Sequence, residues 1–242
     1  MDVEQYRIMF DAETVHWWYR GMRRNACALL ERYLASGRSY EILDAGAGTG
    51  GTTIALERYG RVTGLDYSMA ALPFAASRGL RRLVRGSVEC LPFPDETFDV
   101  LTSFDVIYHR AVVNHLAALS EFRRVLRPGG IALVRVPAFD WLRGAHDTAV
   151  HTERRFTVGQ LSMDMRAAGF QVIEANYHNA LLFPLAIAKR VSERFLPEAP
   201  EDLSIPPAPL NAALERVLEI EGFVSRRLPL PAGLSAVVVG RA

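Results

Sequence analysis

An α/β fold built on a parallel, doubly wound sheet is what this 242-residue sequence predicts. Short runs of β-branched and apolar residues alternate with helically spaced ones from about residue 40 to 177. The first run ends at Asp44 and opens at once onto Gly46, Gly48, Gly50 and Gly51. The second, Arg61–Asp66, ends on another carboxylate roughly 20 residues beyond the glycine loop.

The elements follow in order. Residues 15–24, dense in aromatics and arginine, precede a helix reaching about Ala35. Residues 40–44 form the first strand and 61–66 the second, with Arg81–Arg85 the third. Asp99–Phe104 is the fourth, with 105–110 at its carboxyl end. Leu116, Leu119, Phe122, Val125 and Leu126 recur at helical spacing, and Pro128-Gly129-Gly130 stops that helix before strand five, Ile131–Pro137. Thr157 is the expected N-cap for a helix to Ala168 that Gly169 closes, and Phe170–Tyr177 is strand six. Between His178 and Gly233 lies more chain than a hairpin needs. It carries a helix over Phe183–Phe195, a proline-rich joint at 205–209 and an amphipathic helix with Leu210, Leu214, Val217, Leu218 and Glu221.

The glycine loop is shaped for a nucleoside-bearing ligand, because glycine admits backbone conformations closed to other residues and lets a ligand approach the chain. By itself Gly46–Gly51 also fits the dinucleotide pattern G-x-G-x-x-G. Asp66 is placed to accept hydrogen bonds from ribose hydroxyls. Asp44 separates the candidates: two residues before the first glycine it repels a pyrophosphate and suits a cation. The N–H donors of the helix expected to start near Thr49 face the same ligand.

Asp44-Ala-Gly46-Ala-Gly48-Thr-Gly50 closely resembles motif I of the class I S-adenosylmethionine-dependent methyltransferases. Gly86–Val100 is similar to that family's GDAExLPFxDxxFD segment, with Ser87 where the family commonly has Asp. Residues 119–130 resemble its ExxRVLRPGG turn. The resemblance spans roughly residues 40–140. It implies a Rossmann-like seven-stranded sheet of order 3-2-1-4-5-7-6, with strand 7, here Ser235–Gly240, antiparallel. It also implies S-adenosylmethionine as cofactor and S-adenosylhomocysteine as product. Around this core (39–177 and 234–242), residues 1–38 form an N-terminal helical arm and 178–233 a helical insertion between strands 6 and 7, read as a substrate lid. The cofactor contacts it implies are Asp44, Gly46, Ala47, Gly48, Gly50, Asp66, Tyr67, Ser68, Met69, Ser87, Val88, Glu89 and Phe104, with Arg20 or Arg23 pairing the cofactor carboxylate. A bacterial subgroup pattern, HWW(F/Y)xGxR with HDxxxxHxRR, is matched at 16–23 and resembled at 146–155, where His151 falls one position before the pattern's second histidine.

Composition narrows the partners. A net charge of +1 gives no basic stripe for nucleic acid. Two cysteines make neither a disulfide framework nor a metal motif. His146 and His151, with no third ligand following, indicate no metal site. The N-terminus is unlike a secretory signal and no run approaches the ~18 apolar residues of a membrane span, so the expectation is a cytoplasmic chain, monomer or homodimer, with a small-molecule methyl acceptor.

Methyl transfer is an in-line displacement in which positioning supplies roughly 7–11 kcal/mol. A histidine base suits neutral pH. His151, His146 and His109, in that order, are the candidates, with Asp147 orienting a histidine or binding the acceptor. These side chains equally suit a loop latched by ion pairs. Tyr19, Arg155, Tyr177 and Phe183 are expected at the acceptor. The apolar stretch 180–188 favours an apolar or aromatic metabolite, with oxygen the first choice of methylated atom. A non-catalytic S-adenosylmethionine-binding protein and a nicotinamide-dependent oxidoreductase are the alternatives. Asp44 and the absence of a second mononucleotide-binding half disfavour the latter.

Overall fold

The computed structural model describes residues 3–144, 147, 151–193, 205–225 and 227–242. Two helices, α1 (Val3–Val15) and α2 (Trp17–Leu30), come first. The sheet strands are β1 (Tyr40–Ala45), β2 (Gly60–Asp66), β3 (Leu83–Arg85), β4 (Phe98–Phe104), β5 (Leu126–Pro137), β6 (Gln171–His178) and β7 (Ser235–Arg241). Helices α3 (Thr53–Leu56), α4 (Leu72–Ser77), α5 (His115–Val125) and α6 (Val158–Ala167) connect them, and α7 (Phe183–Glu193) and α8 (Ala208–Ser225) lie between β6 and β7. The sheet order is 3-2-1-4-5-7-6. β7 pairs antiparallel with both β5 and β6, and the remaining pairs are parallel.

Period-two alternation along the strands builds two cores. Leu43, Ala45, Leu101, Val134, Val136 and Val238 pack on the side of Leu119, Phe122 and Leu161. Ile42, Val62, Val100, Leu133, Val237 and Val239 pack against Leu29, Leu30 and Leu56 on the other. Parallel strands buried on both faces read as continuous apolar runs, which is why the sequence showed them.

Local capping fixes the connecting helices. Asn114 accepts from the N–H groups of Leu116 and Ala117 at the start of α5, and Thr157 with Gln160 forms a capping box for α6, which Gly169 follows at φ +93°. Leu116, counted in the apolar stripe, is exposed. Strand five begins at Leu126, not Ile131. Leu126 pairs with Phe98, and a bulge absorbs the Pro128-Gly129-Gly130 segment. A Cβ at Gly130 would stand 2.9 Å from the Arg127 carbonyl oxygen and 3.0 Å from that of Asp99, so any larger residue there must displace backbone.

α1 was not separately foreseen within the N-terminal arm. α8 packs on α2: a Cβ at Gly21 would meet Leu218, and Asn25 donates to the Leu218 carbonyl at 3.2 Å. Glu221 of α8, fully buried, accepts from the backbone N–H of Leu181 at 2.9 Å and from that of Asn179, fastening the chain just past β6. Among the described residues no helix is long and apolar enough to cross a membrane.

Candidate functional site

At the carboxyl ends of the strands lies a cavity of about 1270 Å³. That exceeds the ~300–1,000 Å³ of a pocket for one drug-sized ligand, leaving space for a second molecule beside a nucleoside-bearing one. Its floor is the glycine loop and its walls come from α1, α2, the segments after β4 and β5, α7 and α8.

The loop is built by close packing. Gly46 has φ +96° and a Cβ on it would sit 2.1 Å from Val106 Cγ2. Gly48, at φ +54°, donates its N–H to Asp66 Oδ2 at 2.8 Å, while Ser68 N–H binds Oδ1 at 2.8 Å. Burial pushes the Asp66 carboxyl up and these two bonds oppose it. Gly50 does not line the cavity; its missing Cβ makes room for Leu80 and Ala75, the packing role of the third glycine.

Asp44 is buried, with Thr53 Oγ1 donating to Oδ2 at 2.6 Å and Thr102 Oγ1 to Oδ1 at 2.8 Å. Burial raises its pKa against those two bonds. Asp44 thus braces the loop through the hydroxyls of Thr53 and Thr102. The helix after the loop begins at Thr53, not near Thr49, and its N-terminus is already occupied. Glu13 of α1 accepts from Thr49 Oγ1 at 2.5 Å and from the Gly51 N–H, and pairs with Arg78 at 2.8 Å. A pyrophosphate at this turn would meet two buried carboxylates.

These residues fit S-adenosylmethionine. Asp66 retains second lone pairs for ribose hydroxyls. The large side chains of Tyr67 and Met69, 65% and 59% exposed, line the cavity with Ser68, Ser87, Val88 and Phe104 and offer apolar cover to a nucleoside. Ser87 Oγ accepts from Glu89 N–H at 3.2 Å and keeps its own proton to donate.

Several expected contacts lie elsewhere. Arg20 pairs with Glu215 of α8 at 3.2 Å and does not line the cavity. Glu89 turns to the N–H of Asn114 at 2.7 Å, because that donor precedes α5 and needs an acceptor. Tyr177 stacks on Phe139 with ring centroids 5.0 Å apart, and its hydroxyl accepts from Val158 N–H. Phe183 joins the same aromatic group with Trp141, so Leu182, Leu185 and Ala186 face the cavity in its place.

Tyr19, Tyr108, His109, Leu142, Asp147, His151, Arg155 and Leu214 line the cavity beyond the loop. His146 lies outside the described residues. Asp147 orients no histidine among the described residues: its two oxygens are held by Arg155 Nε and Nη2 at 2.9 and 3.0 Å, and Gly144 N–H also binds Oδ2. Burial pushes the Asp147 carboxyl up, but Arg155 and Gly144 outweigh it and leave it below the ordinary range. The His109 and His151 rings stand 5.8 Å apart. His109 Nδ1 accepts from Ala111 N–H at 3.0 Å, so the neutral ring presents an Nε2–H donor to its surroundings. Burial lowers its pKa, and nearby His151 and Arg110 act the same way.

Glu13, Asp105 and Arg135 also line the cavity and were not singled out from sequence. Arg135 had a signal, being a lone charge inside the apolar run Ile-Ala-Leu-Val-Arg-Val. Glu13 had none, since the turn it caps is 36 residues away.

Residues 43–134 match the methyltransferase domain family. A protein of Mycolicibacterium smegmatis named as a probable S-adenosylmethionine-dependent methyltransferase is 32% identical over 200 residues, covering 77% of this chain and 75% of that one. Demethylmenaquinone methyltransferase of Tropheryma whipplei is 39% identical over 129 residues, 50% of this chain and 48% of its own length. This chain thus spans about half of that relative. A solved S-adenosylmethionine-dependent methyltransferase from Thermotoga maritima superposes with a TM-score of 0.60 at 20% identity, over 99% of this chain and 95% of that one.

Proposed function

The chain belongs to the S-adenosylmethionine-dependent methyltransferases, and on that premise we propose that it methylates a small, largely apolar or aromatic acceptor, at oxygen by first preference. One observation carries the reading. Besides the glycine loop, the same cavity is lined by Leu142, Leu182, Leu185 and Leu214 with Trp17, Trp18 and Tyr19, an apolar wall that we take as the acceptor chamber. Two of the arginines in its lining are engaged, Arg155 by Asp147 and Arg135 by Asp105, while Arg85 and Arg110 also stand at the cavity wall.

S-adenosylmethionine, when bound, supplies a methyl group on a positively charged sulfur. The chain's own part is placement. Asp44 and Asp66 bias the loop toward a cationic nucleoside ligand, and Ser87 and Val88 receive the base. The apolar chamber excludes water and holds the acceptor in line, and the positioning contribution is roughly 7–11 kcal/mol. His109 offers an Nε2–H to orient an acceptor lone pair, and His151, whose ring nitrogens no described residue binds, stands beside it. We take α1, α2, α7 and α8 to serve as the cover of this chamber, the arm and the lid of the expected domain division. The acceptor named for the demethylmenaquinone relative is not carried over, because half of each chain lies outside that match.

The test is calorimetric titration with S-adenosylhomocysteine and with NADH, followed by product detection across a panel of phenols, hydroxyquinones, amines and carboxylic acids. Binding of S-adenosylhomocysteine and turnover confined to hydroxylated aromatic or apolar members is expected. Turnover confined to the carboxylic acids, or to no small molecule, overturns the acceptor assignment.

A further inference from the structure

Asp105 is the first residue after β4 and holds φ +58°, a left-handed conformation that a side chain with a Cβ rarely adopts. Its neighbours impose it. Its N–H donates to the Arg135 carbonyl at 2.9 Å, and the Arg135 guanidinium returns two bonds, Nε at 3.0 Å and Nη2 at 2.5 Å, both to Oδ2. Strain of this kind, about 1–3 kcal/mol, persists where surrounding structure over-determines it, and it clusters at reactive positions.

The consequence is an asymmetric carboxylate. Oδ1 has no hydrogen-bond partner among the described residues, and the side chain is one-third exposed while lining the cavity. The other acids around it differ. Asp44, Asp66 and Asp147 each have both oxygens engaged. The next residue, Val106, packs over Gly46, where a Cβ would meet its side chain, so Asp105 lies next in sequence to the residue that covers the glycine loop, and both line the same cavity. Tyr19 and Tyr108 lie within its electrostatic reach.

Resting on the methyltransferase reading above, we propose that Asp105 faces the methyl-transfer point and takes the acceptor's proton through Oδ1, so that the site selects acceptors bearing an O–H or N–H at the methylated atom. The acceptor's heteroatom forms its bond to the methyl carbon as the sulfur keeps the electron pair of the bond that breaks. The displaced proton passes to Oδ1 and leaves to solvent after product release. Arg135 is a positioning residue, holding Oδ2 so that Oδ1 remains open. An acceptor already anionic at the reacting atom is repelled by the same carboxylate.

The test needs no knowledge of the acceptor. Sinefungin carries an ammonium where the cofactor carries its transferable methyl, and S-adenosylhomocysteine carries nothing there. Calorimetry on the full chain is expected to show sinefungin bound roughly tenfold or more tightly than S-adenosylhomocysteine, the scale of one charge-assisted hydrogen bond. Asp105→Asn, which tolerates the left-handed backbone, should erase that preference while S-adenosylhomocysteine affinity stays within about twofold. A wild-type chain with no preference for sinefungin overturns the proposal whatever the variant does. So does an Asp105→Asn chain that keeps the preference. A chain that binds neither ligand overturns the methyltransferase reading itself.

Discussion

Thr49 gives its hydroxyl to Glu13 at 2.5 Å, tying the first helix of the chain to the turn that follows the glycine loop. The same carboxylate holds Arg78, whose side chain is 11% exposed and whose guanidinium lies over the Phe10 ring. The helix that walls the cofactor side is thus secured by a buried charge. Removing one partner of such a pair is costly because the other charge remains buried.

Glu13→Ala should therefore destabilise the chain by about 3 kcal/mol, read from the midpoint of urea unfolding. Glu13→Gln keeps an acceptor for Thr49 and should lose less. Limited proteolysis should open at α1 first in the alanine variant. Equal stability of all three proteins would show that α1 is not held through this residue.

Gly46→Ala combines a forbidden backbone angle with a Cβ placed 2.1 Å from Val106. Affinity for S-adenosylhomocysteine should fall by about tenfold or more, the equivalent of 1–3 kcal/mol of backbone strain plus the displaced side chain. Adding Val106→Ala relieves the contact but not the angle. The double variant should recover melting temperature only in part.

Arg20→Ala should leave S-adenosylhomocysteine affinity within about twofold, and cost less than about 1 kcal/mol in stability, because Arg20 is 42% exposed and its partner is Glu215. A large loss of affinity would place Arg20 at the cofactor after all. Arg155→Ala is the contrasting case. Its guanidinium and the Asp147 carboxylate are 9% and 7% exposed, so the variant should lose about 3–5 kcal/mol.

His178 gives a pH prediction with a definite sign. Burial, helped by the charge of Arg135, lowers its pKa from 6.5 to about 4. Between those values the unfolded chain binds the proton and the folded chain does not. Its contribution is present above about pH 6.5 and is lost as pH falls toward 4, amounting to roughly 3 kcal/mol at most. Thermal melts from pH 7 to 4.5 should therefore fall more steeply in the wild type than in His178→Gln. Parallel slopes would mean that His178 is not held neutral.

The strands and the glycine turn at their carboxyl ends were already written in the sequence. Strands buried on both faces must be apolar throughout, and a tight turn against a ligand must be glycine, so β1, β2, β4, Asp44, Gly46, Gly48 and Asp66 were legible from composition and spacing alone. The tertiary structure alone decided how charges pair. Arg20 went to Glu215, Asp147 to Arg155 and Glu13 to Arg78, each across a separation along the chain that carries no periodic signal. Which of several arginines meets which carboxylate depends on where packed helices place their Cβ atoms, and that is fixed only once α2, α8 and the segment after β5 have settled on the sheet.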